Sequence, residues 1–405
     1  MKRLLPAMGI LISAFPCLAF ENAKVLPKGV RNMQFRFVSS QINEKFNESG
    51  DKERLATPLE KEVNRQELEK SKSKEDDLSP SGLNTAIAFL QTKLGDNGSL
   101  GQFKANLDIN VNVMAPVVAW GITEKWTTAI ALPIYSVKST VDMGFKGNDN
   151  FHSFANELRS RGQLQSFNNL KEKLSFQGVQ NKLAENGFDQ LEDYSHTGLG
   201  DIKLVNRVQI LNSGKNRAVA LAELTLPTGK VDDENKLTDV KTGDGQTDIA
   251  LGLNYDYSII DSIYINTFAK YTYQMPSSKN FRMVEEDESV EVPVKGVTFD
   301  LGDIVNLGSS VQVEMKNGLT TGVGYNYEWK DSDRYSSLPD SSNLGENTLA
   351  YKHMAVVKLG YSTIELFRQK AFPIPLSLDI SYNQLLKGKN TLSSNMFQTT
   401  LGVFF

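Results

Sequence analysis

The chain ends on the stretch TLSSNMFQTTLGVFF, residues 391–405, and this stretch alternates with a period of two. Apolar residues share one face, whereas the other face is small and polar apart from Phe404. Such alternation is typical of a transmembrane β-strand with lipid on one side and an aqueous lumen on the other. A soluble edge strand would show the same pattern, so the rest of the chain must decide. The apolar face, predicted to take part in closing a barrel, carries Phe397, Leu401, Val403 and Phe405.

The N-terminus predicts an exported protein. Lys2 and Arg3 precede an apolar run from Leu4 to Ala14, and small residues at Cys17 and Ala19 suit a cleavage site. We therefore expect a signal peptide over residues 1–19 and a barrel domain over residues 20–405. Removal of the signal peptide would leave a chain without cysteine and hence without disulfides or thiol chemistry.

Composition narrows the class of protein. No second run approaches the roughly 18 apolar residues of a membrane helix. A hydrophobic content of 40% and a mean hydropathy of −0.33 fit a soluble protein, but a barrel hides its lipid face in alternation and scores in the same way. The net charge of −4, without a sustained basic patch, argues against a nucleic-acid partner.

Alternation recurs along the chain and predicts an all-β fold, a transmembrane antiparallel up-and-down barrel of about twelve strands. A fourteen-stranded barrel is the alternative if residues 289–294 form a strand. In each strand the apolar face is expected to point outward, for example Leu107, Ile109, Val111 and Val113 in the second. The predicted strands lie at 31–37, 107–117, 126–134, 202–210, 218–226, 249–259, 263–273, 305–315, 319–329, 355–361, 374–382 and 391–405.

Connection lengths favour a membrane barrel over a soluble sandwich. They are short after the second, fourth, sixth, eighth and tenth strands and mostly longer after the odd-numbered ones. This parity is that of outer-membrane barrels, with short periplasmic turns and long extracellular loops. It predicts the outer membrane of a Gram-negative bacterium, with both termini periplasmic. Only closure satisfies the edge hydrogen bonds in lipid, so the first strand should pair with the last.

Two inserts interrupt the alternation, at 45–100 and 143–197. The first is polar, with possible helices at 59–68 and 83–94, and is either a plug or a solvated loop. The second has apolar residues at helical spacing, which either pack onto neighbouring protein or form a gate. These residues are Phe151, Phe154, Leu158, Phe167, Leu170 and Leu174.

The polar faces supply candidates for a lumen. They carry both signs of charge, so no ring of one sign is predicted that would select simple anions or cations. Opposite charges on neighbouring strands could equally pair and close the interior. The lumen-facing candidates are Arg36, Asp108, Asp201, Lys203, Arg207, Glu223, Asp248, Asp256, Lys270, Glu314, Glu328, Lys352, Lys358 and Asp379.

Several short motifs resemble a known family. Gly198-Leu199-Gly200-Asp201, Leu226-Pro227-Thr228-Gly229 and the run from Thr242 to Asp248 are similar to those of outer-membrane transporters grouped as the meta-pathway phenol degradation family, as are Trp120-Gly121-Ile122-Thr123 and Leu132-Pro133. The resemblance covers roughly residues 103–405. It implies a barrel for uptake of small, often hydrophobic or aromatic compounds, broadly like the fatty-acid channels. The terminal Phe405 likewise resembles the signal by which the assembly machinery recognises outer-membrane barrels.

The predicted function is a passive channel, and a closed structural or adhesive barrel is the alternative. The expected partners are outer-membrane lipid and lipopolysaccharide, the barrel assembly machinery and a small solute, without nucleic acid or a cofactor. A lipid hydrolase is disfavoured, because the adjacent Ser195 and His196 point to opposite sides of an extended chain. Neither the acidic run at 232–234 nor that at 331–333 has the calcium-loop spacing, so no metal site is predicted.

Overall fold

The computed structural model describes residues 22–70, 82–95, 98–282, 294–336 and 344–405. The predicted signal peptide and nearly all of the possible strand at 289–294 lie outside these ranges. The described residues form a closed antiparallel barrel of twelve strands, which confirms the predicted fold class. The strands are β1 Arg31–Phe46, β2 Ser99–Thr123, β3 Trp126–Ala131 with Ile134–Gly147, β4 Tyr194–Leu199 with Ile202–Ser213, β5 Asn216–Leu226, β6 Asp248–Ile260, β7 Ile263–Gln274, β8 Ile304–Glu314, β9 Leu319–Lys330, β10 Ala350–Ser362, β11 Leu376–Lys389 and β12 Thr391–Phe404.

The first and last strands pair along their length, as predicted. The register runs from Asn32 opposite Phe404 to Phe46 opposite Thr391, with a shift between Gln41 and Glu44. At the terminus, the Phe405 amide donates to the Arg31 carbonyl over 2.9 Å, and the Arg31 amide donates back over 2.7 Å. This pairing leaves no free edge in the ring of strands.

Connections at one end of the barrel are mostly tight. They span 124–125, 214–215, 261–262 and 315–318. The connection between β10 and β11 contradicts the prediction of a short turn: it spans residues 363–375, and β11 begins at Leu376 rather than at Ile374. Pro373 and Pro375 lack the amide hydrogen that a paired strand requires, so the chain there forms the helix Ile364–Arg368 and a loop.

The long connections at the other end carry the remaining elements. In the first insert one helix is predicted at 59–68, but the structure has a short strand at 62–64 and then helix α1, Arg65–Lys70. The predicted helix at 83–94 is confirmed as α2, Gly82–Phe89, followed by a π-helical turn. The second insert contains the two predicted helices and a third. Among the described residues, no helix combines the length and hydropathy needed to span a membrane. The helices are α1 Arg65–Lys70, α2 Gly82–Phe89, α3 Asp149–Ser160, α4 Leu164–Lys173, α5 Phe176–Glu185 and α6 Ile364–Arg368.

The apolar stripes of these helices pack against one another and against β2, which favours protein packing over a solvated loop. Phe154, Leu158 and Leu170 are almost fully buried beside Leu83, Leu90 and Leu100. A separate three-stranded sheet, the cap sheet, stands at the same end of the barrel. It pairs Ser277–Arg282 with Val294–Asp300, and the latter with Arg334–Ser336.

The two faces of most strands differ sharply in polarity. Outward side chains form an exposed apolar band, in which Leu251 is 62% and Val323 is 60% accessible. Most inward side chains on β6 to β11 are polar and buried, with Phe268, Met354, Val356 and Leu385 as apolar exceptions; the polar ones include Asn254, Lys270, Gln274, Asn306, Gln312, Asn326 and Asn383.

Strand β2 contradicts the predicted orientation along its length, because Val117 is buried on the inner face while Met114 and Val118 are exposed on the outer one. Its apolar residues Leu107, Ile109, Val111 and Val113 are buried inside the barrel, packed with Ile42, Leu55, Ala56 and Leu59. Asp108 therefore lies on the opposite, outer face, where it accepts a 2.6 Å hydrogen bond from Asn106. A period of two separates the faces of a strand, but only the apolar partner supplied by the first insert decides which face turns inward.

The outward band makes a prediction about stability. Leu251→Lys would place a charge in the middle of the band and should cost roughly 2–4 kcal/mol in a lipid bilayer. Urea unfolding of vesicle-reconstituted protein measures this cost. Thr140→Lys, outward on β3 between Lys138 and Asp142, is the matched control and should change stability by less than about 1 kcal/mol. Equal losses of unfolding free energy in both variants would contradict an apolar band that ends before the polar outward residues of β3.

Candidate functional site

Two neighbouring strands are interrupted side by side. Strand β3 breaks at Leu132-Pro133 and β4 breaks at Gly200-Asp201. The Gly200 amide donates to the Pro133 carbonyl over 2.7 Å, and the Leu132 amide donates to Pro116 over 3.0 Å. The barrel wall therefore stays hydrogen-bonded at this point, although the regular pairing of β3 with β4 is interrupted.

Residues 227–247, the lid loop, fold onto this interruption. Thr228 Oγ1 donates to the Gly200 carbonyl over 2.8 Å, and Thr242 Oγ1 donates to the Leu199 carbonyl over 3.0 Å. The Gly229 amide donates to Asp201 Oδ1 over 2.9 Å. Motifs that are far apart in the sequence thus meet at one place in the fold.

Two glycines make this meeting possible. A Cβ on Gly243 would lie 2.5 Å from Asp201 Oδ1, and a Cβ on Gly229 would lie 2.7 Å from the Gly243 amide nitrogen. Both distances are too short for a Cβ, so glycine at these positions lets the two arms of the lid loop pack against each other and lets Gly243 approach the Asp201 carboxylate.

Below the lid loop lies a polar chamber of about 70 Å³ inside the barrel. Glu223 lies between two ammonium groups at its centre, 2.9 Å from Lys203 and 3.7 Å from Lys270. Further round the wall, Glu328 accepts from Lys352 and from Asn306 Nδ2, both over 2.8 Å. The lining also includes Tyr135, Asp201, Thr225, Lys241, Thr242, Gly243, Asp244, Asp248, Thr272, Gln274 and Ile304.

Some buried polar atoms around the lumen have no hydrogen-bond partner from the described protein. They include Asp248 Oδ1 and Gln274 Oε1 at the chamber, and both side-chain amide atoms of Asn326 elsewhere on the inner wall. Gln274 is 1% and Asn326 3% exposed. Burying such groups without a partner is costly, so this interior suits water or a polar solute as the missing partner.

Six predicted candidates line the chamber, and the others lie elsewhere. Lys352 contacts Glu328, whereas Lys358 pairs with Asp379 over 2.8 Å on β10 and β11. Arg36 Nε donates to Gln34 Oε1 over 3.3 Å on β1, and Asp108 faces outward. Arg207, Asp256 and Glu314 lie near the end with the short turns and contact residues 22–24. The six in the chamber are Asp201, Lys203, Glu223, Asp248, Lys270 and Glu328.

The prediction missed chamber residues of two kinds. Gln274 and Asn306 stand on the predicted polar faces of β7 and β8, and their place in the alternation was the available signal. Lys241 and Asp244 belong to the lid loop, whose return into the barrel depends on the glycine contacts and on hydrogen bonds from Thr228 and Thr242. No local sequence pattern predicts that the lid loop folds back into the barrel.

The lid loop has electrostatic contacts of its own. Lys279 of the cap sheet is 2.6 Å from Asp232, and its ammonium lies 4.4 Å from the Phe281 ring centroid. Burial alone would raise the pKa of the Asp232 carboxyl, but the ammonium groups of Lys241 and Lys279 outweigh it and lower that pKa. Burial also lowers the pKa of Lys241, against the attraction of Asp232.

The described residues contain no group of three or more histidine, cysteine or carboxylate side chains placed to hold a metal ion. Ser195 and His196 are consecutive on β4, opposite Lys138 and Val137 of β3. They therefore point to opposite sides of the wall, an arrangement that does not join a nucleophile to a base.

No protein-family model and no curated protein matches the chain. Among solved structures, the fold is similar to that of an outer membrane channel from Pseudomonas putida F1, with a TM-score of 0.53 at 10% identity over 95% of this chain and 98% of that one. The Ralstonia pickettii toluene transporter TbuX gives a TM-score of 0.35 at 9% identity over 95% and 91%. The Pseudomonas putida toluene transporter TodX gives 0.33 at 13% over 94% and 89%. The first likeness supports the barrel fold.

The lid-loop contacts predict a response to acid. Because the folded-state pKa of Asp232 is depressed, its contribution to stability is present above the ordinary carboxyl value of 3.8 and is lost as pH falls through the lower folded-state value. Pepsin cleavage of the lid loop should stay slow at about pH 4 and accelerate below it.

Asp232→Asn should cause faster cleavage already at about pH 4, because Lys241 and Lys279 lose their counter-charge. Asp261→Asn, in a turn at the opposite end of the barrel, is the control and should leave the profile unchanged. A profile for Asp232→Asn identical to that of the unmodified protein would refute the assigned contact.

Proposed function

We propose that this barrel is an outer-membrane channel for passive uptake of small compounds. The observation that carries the proposal is the buried polar inner face of β6 to β11, with side-chain atoms that lack protein partners. A barrel filled by its own side chains would be expected to pair such atoms. Water in the chamber that Asp248 and Gln274 line would supply partners for these two residues.

The interior also supports a class of solute. At the end with the long loops, the inner wall carries the apolar cluster around Leu107, Ile109 and Val111. The charged chamber around Glu223 adjoins it through Tyr135, which belongs to both. The first insert occupies this apolar cluster in the structure, so a compound with an apolar body and a polar group, such as a substituted aromatic, would find partners for both parts once the insert moves off Leu107 and Ile109.

Location and orientation belong to the same proposal. The exposed apolar band and the paired first and last strands suit a bilayer. Short turns at one end and long connections at the other favour periplasmic termini and extracellular inserts. Lipopolysaccharide would then contact the outward polar residues of β2 and β3, and the C-terminal strand would be read by the assembly machinery.

A closed structural barrel is the second candidate. It is favoured by the ion pairs Lys203–Glu223, Glu328–Lys352 and Lys358–Asp379, which join neighbouring strands across the inner wall. It is also favoured by the helices and lid loop packed at the mouth. The two functions differ in whether solute crosses.

Planar-bilayer conductance and liposome swelling with small solutes test the channel directly. We expect discrete conductance steps and solute entry from the full-length barrel. Absence of both, also after release of the N-terminal contacts described below, would refute the channel and leave the closed barrel.

The chamber also predicts ion selectivity. Glu223→Gln removes the carboxylate between Lys203 and Lys270, which should favour anions. A unit charge at 4 Å in water is worth about 1 kcal/mol, so the anion-to-cation permeability ratio should rise roughly fivefold. The reversal potential in a salt gradient measures this ratio. Glu124→Gln, in an exposed short turn, is the control, and an equal shift in both variants would show that Glu223 does not line the conducting path.

A further inference from the structure

Residues 22–30 lie along the inside of the barrel at the end with the short turns. We call them the strap. At its C-terminal end the strap joins the wall, because the Gly29 amide donates to the Gly121 carbonyl over 2.8 Å and the Gly121 amide donates to the Val30 carbonyl over 2.9 Å. The Leu26 amide donates to Thr127 Oγ1 over 2.8 Å. These contacts lie beside β2 and β3.

The N-terminal end of the strap contacts a different part of the wall. Ala23 is fully buried, and its amide donates to Asp256 Oδ2 over 2.9 Å. Asp256 is itself fully buried and also contacts Asn266 at 2.7 Å and Arg217 at 3.5 Å. A buried carboxylate shared by three donors is a specific seat for this backbone amide.

Lys24 adds a second attachment. Its ammonium is 2.8 Å from Glu314 and 5.6 Å from the centroid of the Tyr264 ring. Tyr264 donates through its hydroxyl to Glu314 over 3.0 Å. A carboxylate and an aromatic ring therefore hold the same cation, from β8 and β7 respectively.

The two attachments lie on separate parts of the ring of strands. Gly121 and Thr127 belong to β2 and β3, whereas Asp256, Tyr264 and Glu314 belong to β6, β7 and β8. All five residues stand close to the short turns. The strap therefore passes through the mouth of the barrel from one part of the wall to another.

One wall residue is shaped for the strap. A Cβ on Gly121 would lie 2.0 Å from the Pro27 carbonyl oxygen, so no side chain fits at this position while the strap is in place. Gly121 belongs to the Trp120–Thr123 motif noted in the sequence. Its lack of a side chain thus has a local explanation in the strap.

The strap is nevertheless joined by few bonds compared with the wall. It forms no strand pairing, and its turn at Pro27, Lys28 and Gly29 is exposed. Gly29 has a φ of 82°, a conformation that favours glycine and suits a hinge.

We propose that the strap closes the short-turn end of the lumen and that solute passes when Ala23 and Lys24 leave their seats. This inference rests on the proposed channel function. It adds a second closure opposite the lid loop, with the chamber between the two.

Thiol labelling tests the seat without requiring transport. In the mature protein, which has no cysteine after residue 19, Ala23→Cys should react slowly with a membrane-impermeant maleimide. Adding Glu314→Gln, which weakens the Lys24 attachment, should accelerate labelling roughly tenfold, the effect of losing one charge-assisted contact. Lys28→Gln, in the exposed turn, is the matched control and should leave the rate unchanged. Fast labelling in all three backgrounds would overturn the seated strap.

A reversible cross-link tests closure. Ala23→Cys with Asp256→Cys, oxidised to a disulfide, should hold the N-terminal end of the strap on β6 and reduce conductance, and a reductant should restore it. Conductance equal in the oxidised and reduced states would overturn the strap as a closure. If labelling responds to Glu314→Gln while no variant conducts, the channel function fails and the seated strap stands.

Discussion

The structure depends on the pairing of its first strand with its last. In lipid no water is available to satisfy backbone amides and carbonyls, so every strand must have a neighbour on each side. The mutual hydrogen bonds of Arg31 and Phe405 close the ring at one rim, and the register continues to Phe46 and Thr391. With the ring closed, side chains can only point into the barrel or away from it. The separate chemistry of lumen and outer surface follows from this.

The inside of the ring is divided into two unequal environments. On β1 to β3, apolar inward residues accept the first insert, which turns that part of the interior into a hydrophobic core. On β6 to β11 most inward residues are polar, and several of their buried side-chain atoms have no hydrogen-bond partner among the described residues. The charged chamber adjoins the apolar part, with the lid loop on one side and the strap beyond the other. The first insert thus fills the apolar part of the interior, and the charged chamber lies next to it.

Short glycine-containing motifs hold the closures in place. Gly229 and Gly243 let the two arms of the lid loop pack together beside Asp201, and Gly121 lets the strap approach β2. In each case the requirement is space for a backbone, not a functional side chain. These glycines belong to sequence motifs that resemble those of a known family, but the structural reason for them lies in contacts between distant parts of the chain.

The sequence by itself determined the strand count, the pairing of the termini and most of the polar faces, because alternation with a period of two is a local property of an extended chain. It located two of the three helices of the second insert by their spacing in the same way. Only the tertiary structure decided which face of β2 turns inward, where β11 begins, and that Asp201, Lys203, Glu223 and Lys270 share a chamber. It also decided that residues 22–30 return into the lumen. The physical reason is common to all of these: each depends on a partner supplied by another segment, and a period of two carries no information about partners.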